Sequence, residues 1–266
     1  MNRTRLSPTL DDTRPSAPEA SPASGTSSAV QARGLVKTYG TGEAAVTPLD
    51  GLSLDIDSAR FTAIMGPSGS GKSTLMHVLA GLDTVDAGSI RLGDRELTAM
   101  SEKQLTRIRR ERIGFIFQAF NLVPAMTAEE NILLPASLAR AKVNRRYVDE
   151  IVSLLGLRDR LRHRPFELSG GQQQRVAVAR ALVYQPDVVF ADEPTGNLDS
   201  ATGAEVLSLL RAAVDEFGQT VVMVTHDPAA AARADRIVLM ADGQIAGDLT
   251  ASSAEQVAEA MLEVTA

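Results

Sequence analysis

The stretch from Gly66 to Thr74, Gly-Pro-Ser-Gly-Ser-Gly-Lys-Ser-Thr, constrains the fold of this chain more than any other feature. The mostly apolar run Phe61–Met65 before it is typical of a strand, and residues 73–80 after it are typical of a helix. In such a strand–loop–helix unit, glycines let backbone N–H groups turn inward around the phosphates of a nucleoside triphosphate. The positive N-terminal end of the helix faces the same anion. The stretch therefore predicts a phosphate-binding loop, and a glycine-rich turn without a ligand is the alternative.

Every position of this loop is a candidate nucleotide contact, and two of its side chains have specific roles. Lys72 can reach the β- and γ-phosphate oxygens, and the Ser73 hydroxyl is placed to bind Mg²⁺. The candidate nucleotide-binding residues of the loop are Gly66, Pro67, Ser68, Gly69, Ser70, Gly71, Lys72, Ser73 and Thr74. The sequence therefore predicts a nucleoside triphosphate and Mg²⁺ as ligands.

A second apolar run, Asp187–Ala191, leads directly into the carboxylates Asp192 and Glu193. In P-loop NTPases an Asp at the end of a buried strand holds Mg²⁺. A neighbouring Glu can accept a proton from the attacking water. Two carboxylates at a strand end can also be an ordinary polar terminus, but Lys72 and Ser73 upstream favour a phosphate-transfer site.

A further glycine-rich segment, Leu168-Ser-Gly-Gly-Gln-Gln-Gln-Arg175, precedes a run that is compatible with a helix. It predicts a second helix N-terminus with exposed N–H donors, and hence a second anion-binding surface. One triphosphate does not need two such surfaces from one subunit. The arrangement makes sense if the second surface covers the γ-phosphate held by another copy of the chain.

Length and composition limit the class of protein. The 266 residues allow one or two domains, and 44% hydrophobic with 23% charged residues is ordinary for a globular protein. We expect no membrane span and no secretory signal, because no apolar run is long enough for either. The absence of cysteine excludes disulfides and thiolate metal sites and permits a reducing cytoplasm. The net charge of −6 argues against a nucleic-acid partner.

The chain divides into a tail and one folded region. Residues 1–29 are rich in Ser, Thr, Pro and Ala, so we expect a disordered tail, with the folded domain at 30–266. Early strands, a central helical insert and later buried strands are expected in that order. The predicted strands are Val30–Tyr39, Leu52–Ile56, Phe61–Met65, Gly88–Leu92, Ile113–Phe117, Asp187–Ala191, Thr220–Val224 and Arg236–Met240.

Helix signals lie between these strands. Ser101 with Gln104, and Thr127 with Glu130, have the spacing of capping boxes. Residues 200–217 predict a helix that Gly218 ends, with one apolar stripe that belongs to the core rather than to a site.

Taken together, these motifs resemble the ATP-binding cassette of ABC transporters over the whole chain after residue 29. The resemblance implies an α/β P-loop NTPase fold with a mainly parallel core sheet. It also implies an N-terminal antiparallel β subdomain and a helical subdomain at about residues 119–170. It implies ATP and Mg²⁺ as ligands, and ATP hydrolysis as the activity.

The resemblance also implies roles for individual residues. Tyr39 matches the aromatic residue that stacks on adenine, and Gln118 matches a glutamine that contacts Mg²⁺ or water and senses the membrane partner. His226 matches the switch histidine at the γ-phosphate, and Asn197 and Asp199 match the D-loop at the dimer interface. The signature residues that would contact the partner's ATP are Ser169, Gly170, Gly171 and Gln172. Read in isolation, a tyrosine at a strand end such as Tyr39 is more typical of packing, and a histidine after a strand such as His226 is more typical of a surface or core residue.

The finer resemblance is to the macrolide-export and lipoprotein-release branch of the family. It rests on Gly114–Leu122, Leu168–Arg175 and Ala191–Asp199, and similar strings occur in cell-division ATPases of that branch. It implies a head-to-tail dimer of ATP-binding subunits, in which Glu193 is the catalytic base and Gln118 and His226 complete the γ-phosphate shell. The dimer would dock on a separate integral membrane permease, at the cytoplasmic face of the plasma membrane.

Other functions share parts of this pattern. A division or cell-wall regulator with a permease-like partner fits the same residues as an exporter. Soluble ABC ATPases that act on DNA or ribosomes have long coiled coils, zinc modules or two cassettes, none of which the sequence indicates. A P-loop kinase would leave Ser169–Gln172 and His226 unexplained.

Overall fold

The computed structural model describes residues 27–139 and 142–265. The strands are β1 Ser28–Tyr39, β2 Val46–Asp57, β3 Phe61–Met65, β4 Ala87–Leu92, β5 Arg95–Glu96, β6 Ile113–Phe117, β7 Val188–Asp192, β8 Val221–Val224, β9 Arg236–Ala241 and β10 Gln244–Thr250. The helices are α1 Lys72–Leu79, α2 Glu102–Arg112, α3 Ala128–Ala139, α4 Arg145–Leu154, α5 Gly170–Leu182, α6 Ser200–Phe217, α7 Pro228–Ala231 and α8 Ala254–Thr265. Of the tail predicted at 1–29, residues 1–26 lie outside the described residues, and Ser28 and Ala29 already belong to β1.

The first sheet is antiparallel and is built from the N-terminal third of the chain. Its strand order is β2-β1-β4-β5. The long pair β1 and β2 aligns Val30 with Ile56 and Tyr39 with Val46. The antiparallel β subdomain expected from the resemblance is confirmed.

The second sheet is mainly parallel, with the strand order β10-β9-β3-β8-β7-β6. Strands β9, β3, β8, β7 and β6 run parallel, and β10 pairs antiparallel with β9 at the edge. All parallel strands end at one edge of the sheet, which is where open α/β sheets bind their ligands. The segments that follow β3, β6, β7 and β8 at that edge contain the loop 66–74, Gln118, Glu193 and His226.

The core sheet is buried on both faces. In β3, Ala63 and Met65 pack into the core on the side of the helices, and Ile64 packs into the core on the side of the first sheet. Val189 and Phe190 of β7 divide in the same way. This explains why these strands are continuous apolar runs without alternation, as is expected for parallel strands covered on two faces. The predicted α/β fold with a mainly parallel core is confirmed.

Helices dominate the region between β6 and β7. Within the described part of 119–170 the regular elements are α3, α4 and two short 3₁₀ turns. Asn131 is fully buried and fastens the preceding loop, because its Oδ1 accepts from the Val123 N–H at 2.7 Å and its Nδ2 donates to the Val123 and Thr127 carbonyls. The helical subdomain at 119–170 is consistent with this arrangement.

The predicted helix signals have structural counterparts. The Ser101 N–H donates to Gln104 at 2.8 Å, and the Thr127 N–H donates to Glu130 at 2.7 Å. Helix α6 spans the expected residues and ends at Gly218, whose φ of 63° is left-handed. None of the helices in the described ranges combines the length and apolarity that crossing a membrane requires.

Candidate nucleotide-binding site

At two positions of the loop between β3 and α1, only glycine fits the backbone and its surroundings. Gly66 and Gly71 have φ values of 158° and 97°. A Cβ atom at Gly66 would collide with the Met240 carbonyl oxygen, and one at Gly71 would collide with that of Pro48. At Gly69, by contrast, there is only open space within 4 Å of such an atom. The loop is therefore pressed against its neighbours on one side and open on the other, as a phosphate cradle must be.

Lys72 lies inside the curve of this loop. Its ammonium donates to the carbonyls of Gly66 at 2.9 Å and Pro67 at 2.7 Å, and it lies 3.4 Å from the Ser70 hydroxyl. Partial burial lowers the pKa of Lys72, and the negative charges of Glu193 and Asp192 act in the opposite direction. A partly buried cation at the first turn of a helix is a fitting partner for phosphate oxygens.

Glu193 and His226 contact each other at the ends of neighbouring strands. His226 Nδ1 lies 2.8 Å from Glu193 Oε1, and the Thr225 hydroxyl donates to Oε2 at 3.5 Å. Glu193 has a left-handed φ of 45°, and its N–H donates to the Val224 carbonyl at 2.9 Å. A non-glycine residue in this conformation is costly and points to a functional constraint. The turn thereby places the carboxylate against His226, whose side chain remains largely exposed.

Asp192 lies beside the same cluster and offers an oxygen ligand for a cation. Burial raises its pKa, the charge of Glu193 adds to this, and His77 of α1 and Lys72 oppose it. His77 was not singled out in the sequence, because a histidine on an apolar helix carries no local signal.

The donor set fits Mg²⁺. The described residues contain no group of three or more His, Asp or Glu side chains that could hold a metal. Mg²⁺ prefers hard oxygen ligands and uses one or two protein groups together with substrate phosphates. The exposed Ser73 hydroxyl and the Asp192 carboxylate are oxygen ligands of this kind.

Gln118 pairs with Asn197 across the site. Its Nε2 donates to Asn197 Oδ1 at 3.2 Å, and Asn197 Nδ2 donates to the Gln118 carbonyl at 3.0 Å. A Cβ at Gly196 would lie 2.7 Å from Gln118 Nε2, so glycine there leaves room for this pair. The two residues are far apart in sequence, and their reciprocal contact had no sequence signal.

The signature segment caps helix α5 with its own side chains. Ser169 Oγ accepts from the Gln172 N–H at 3.3 Å, and Gln172 Oε1 accepts from the Ser169 N–H at 3.0 Å. Within the described ranges, no hydrogen bond or ion pair joins Ser169–Gln172 to the loop 66–74. A Cβ at Gly171 would collide with Thr202, and Thr202 is the residue that Asp199 caps, its N–H donating to Oδ1 at 3.0 Å. The segments predicted as the signature and the D-loop therefore lie side by side.

Gln174 is a further residue that sequence reasoning missed. Its side chain is fully buried, and its Nε2 donates to the Pro194 carbonyl at 2.5 Å and lies 3.5 Å from the Phe117 carbonyl. The amide thus links the signature helix to the residues next to Glu193 and Gln118. The available signal was a polar residue on the buried face of a helix.

Tyr39 lies at the end of β1 and is 43% exposed. Its hydroxyl donates to Asp83 Oδ2 at 2.6 Å, and the Thr74 side chain in the first turn of α1 is near enough to act on the pKa of the phenol, which it lowers. The structure therefore places this ring next to the phosphate loop, held by a carboxylate that the sequence did not single out.

Comparison with known proteins supports a nucleotide site. The family model described as "ABC transporter" matches residues 49–196. The chain is 45% identical over 221 residues to the macrolide export ATP-binding/permease protein MacB of Marinobacter nauticus. The aligned region covers 82% of this chain and 34% of that protein. It thus spans about a third of the length of this relative.

Two further similarities extend over nearly whole chains. An uncharacterized ABC transporter ATP-binding protein of Thermotoga maritima is 46% identical over 213 residues, which cover 79% of this chain and 91% of that protein. The solved dimer of the ATP-binding cassette MJ0796, in a post-hydrolysis state with ADP and Pi, is 40% identical with a TM-score of 0.75. That match covers 84% of this chain and 99% of the solved one.

Proposed function

The chain belongs to the ABC transporter family, and from this membership we propose that it is an ATP-hydrolysing subunit that drives a separate membrane permease. The observation that carries the proposal is the set of groups at one edge of the parallel sheet. There Lys72 lies in the phosphate loop, Asp192 and Glu193 follow β7, and His226 lies 2.8 Å from Glu193. Each group is of the type that phosphoryl transfer to water requires.

The residues divide the work as follows. The loop N–H groups and Lys72 bind the phosphates, and Ser73, Gln118 and Asp192 would hold Mg²⁺. When bound, Mg²⁺ neutralises charge on the β- and γ-phosphate oxygens. The Glu193 carboxylate accepts the proton of the attacking water, and His226 orients that carboxylate through its 2.8 Å contact.

A second subunit would complete the site. Ser169 is exposed at the N-terminus of α5, and within the described residues no hydrogen bond or ion pair joins Ser169–Gln172 to the loop 66–74. In a head-to-tail dimer, this end would lie over the γ-phosphate bound by the partner. The solved cassette MJ0796 is a dimer, which supports this arrangement. Bound ATP would then favour the closed dimer, because it supplies contacts that only the closed state makes.

The proposed partner is a permease of the macrolide-export type. The similarity to the ATP-binding part of MacB supports it, as do the sequence strings of that branch. The subunit would act at the cytoplasmic face of the plasma membrane, peripherally through the permease, in export or in lipoprotein release.

Substitution of Glu193 by Gln tests the proposal. We expect ATP affinity to persist and hydrolysis to fall by about 10²–10⁴-fold, since the amide cannot accept the proton. Light scattering of this variant with Mg²⁺-ATP should show a dimer. Glu216→Gln, at an exposed position of α6, is the matched control and should hydrolyse ATP like the wild type. Unchanged hydrolysis by the Glu193 variant would contradict the assignment of Glu193 as the catalytic base. Isolated protomers in the presence of Mg²⁺-ATP would contradict the proposed dimer.

A further inference from the structure

Beside the phosphate loop, a small polar cluster holds the ring of Tyr39 from one side. The cluster consists of Tyr39 and Lys37 on β1 and Asp83 on the turn after α1. None of the roles discussed above uses Asp83 or Lys37. The three side chains are joined across more than forty residues of sequence.

Each oxygen of the Asp83 carboxylate has its own donors. Oδ2 accepts from the Tyr39 hydroxyl at 2.6 Å. Oδ1 accepts from the Lys37 ammonium at 3.0 Å and from the Thr84 N–H at 2.7 Å. Lys37 in turn donates to the Thr84 carbonyl at 2.6 Å, and its side chain is only 9% exposed. The buried Lys37 ammonium and the Thr84 backbone therefore fix the Asp83 carboxylate, which also accepts the hydrogen bond from the phenol.

The Tyr39 ring is held at two points by this cluster. The Lys37 ammonium lies 5.0 Å from the ring centroid, and the phenol oxygen is bound to Asp83. The hydrogen bond to Asp83 is the largest cause of a raised pKa at Tyr39, with smaller effects of burial and of the Asp83 charge in the same direction. A charge-assisted hydrogen bond of this length is among the stronger kinds. An exposed tyrosine that would otherwise rotate freely is thus kept in one orientation, and pre-ordering of this kind improves ligand affinity.

We propose that Asp83 is a positioning residue for the nucleotide base, because it fixes the ring of Tyr39 as a stacking surface beside the phosphate loop. The inference rests on the proposed function, since it assumes that a nucleoside triphosphate occupies that loop. Stacking of a base on an aromatic ring is worth about 1–3 kcal/mol, which is about five- to 150-fold in affinity. Asp83 contributes the part of this gain that comes from holding the ring still.

The test compares a ligand with a base and a ligand without one. In Asp83→Ala, we expect the dissociation constant of Mg²⁺-ATP to rise about three- to tenfold. Binding of inorganic tripolyphosphate should be unchanged, and kcat at saturating ATP should stay near the wild-type value. Asp83→Asn keeps one side-chain oxygen that can accept from the phenol but loses the second oxygen, which accepts from Lys37, so it should restore part of the affinity.

Tyr39→Phe provides a second route to the same contact. It removes only the hydroxyl and leaves the Asp83–Lys37 ion pair intact, so the fold of this region is retained. We expect it to weaken ATP binding as much as Asp83→Ala does, and the double variant to be no weaker than either single variant.

Several outcomes would overturn the proposal. An equal loss of tripolyphosphate binding in Asp83→Ala would show that Asp83 supports the phosphate loop instead, and additive losses in the double variant would show that it does not act through the phenol. Unchanged ATP binding in Asp83→Ala, with normal wild-type binding of both ligands, would refute the positioning role alone. A wild-type chain that binds neither ligand would refute the proposed function and this inference together.

Discussion

Helices α1 and α5 both begin at glycine-rich turns, and they begin in different ways. Helix α1 has Gly71 at its N-cap, in a left-handed conformation, with no side chain to cap it. Helix α5 has Ser169 at its N-cap, in an extended conformation, with Ser169 and Gln172 capping one another. The first N–H groups of α1 are therefore left without a side-chain acceptor and can bind a ligand. In α5, the Ser169 side chain accepts one of the corresponding N–H groups.

The surroundings of the two ends differ in charge as well. Around the start of α1 lie the partly buried ionisable groups Lys72 and Asp192, with Glu193 adjacent. At the start of α5, the capping side chains of Ser169 and Gln172 are neutral, and the acidic side chain beside them, Asp199, caps the neighbouring helix α6. The first end is built as a nearly complete anion site within one chain, and the second as a surface that complements a site held elsewhere. The proposed head-to-tail dimer requires this difference, because the α1 end of one subunit and the α5 end of the other would bind the same triphosphate.

The largest expected contrast comes from the same substitution at both ends. Gly71→Ala places a Cβ on the Pro48 carbonyl at a φ of 97°, which should lower the free energy of unfolding by about 2–4 kcal/mol and abolish ATP binding. Gly170→Ala places its Cβ 3.5 Å from Leu198 and 3.8 Å from Phe120, which are ordinary contacts. It should leave stability and ATP binding by the protomer near wild type. Denaturant unfolding and calorimetric titration would measure both, and similar losses in the two variants would contradict the comparison.

The second contrast concerns affinity for ATP at protein concentrations where the chain is monomeric. Lys72→Ala should weaken ATP binding by about ten- to a hundredfold, because a charge-assisted contact to phosphate is lost. Gln172→Ala should leave the affinity of the monomer unchanged and weaken only the ATP-dependent dimer. Calorimetry at low concentration and light scattering at high concentration would separate the two effects. A loss of monomer affinity in Gln172→Ala would show that both ends bind the same ATP in one chain.

The sequence predicted the fold of this chain and its family well, and the reason is local. The glycines and the lysine of 66–74 follow a strand and open a helix, so their signal is contained in one short segment. The core strands were visible because two-sided burial makes each of them continuously apolar. Helix α6 was predicted to its last residue, because Gly218 supplies a left-handed stop.

What the sequence could not predict are contacts between distant segments. Asp83 and Tyr39 are 44 residues apart, and Gln118 and Asn197 are 79 apart. The first pair depends on how the end of β1 meets the turn after α1, and the second on how the turns after β6 and β7 meet at the edge of the parallel sheet. No periodicity or motif in the sequence indicates either contact. The roles of the signature residues are predictions that the Gly170 and Gln172 substitutions above would test, and the roles of Gln118 and His226 are predictions from the resemblance.

A smaller effect is expected at the cap of α5. Ser169→Ala removes the oxygen that accepts from the Gln172 N–H and should lower the free energy of unfolding by about 1 kcal/mol. Ser169→Asp keeps an acceptor at the cap, so its stability should stay near wild type. Its added negative charge, however, would face the partner's phosphates and suppress ATP-dependent dimerisation. Stable Ser169→Asp protein that dimerises normally with ATP would show that this end does not meet the triphosphate.

The smallest expected effect is a pH dependence that belongs to the α1 end alone. Burial raises the pKa of Asp192 above its unfolded value, so the ionised carboxylate destabilises the fold increasingly as pH rises from the ordinary Asp range through the folded pKa. Asp192→Asn should therefore raise the unfolding midpoint of the nucleotide-free protein at neutral pH, by about 1–2 °C. This gain should shrink as the pH falls through the folded pKa, and it should vanish only below about pH 3, where the wild-type carboxyl is protonated in both states. Asp199 is the matched control beside the signature, since its hydrogen bond from Thr202 lowers its pKa and its ionised form stabilises the fold above the ordinary Asp range. Asp199→Asn should give no gain at neutral pH, and thermal unfolding of both variants between about pH 4.5 and 8 would test the difference in sign. A gain in both variants would mean that general charge reduction, rather than the buried charge beside α1, sets the stability.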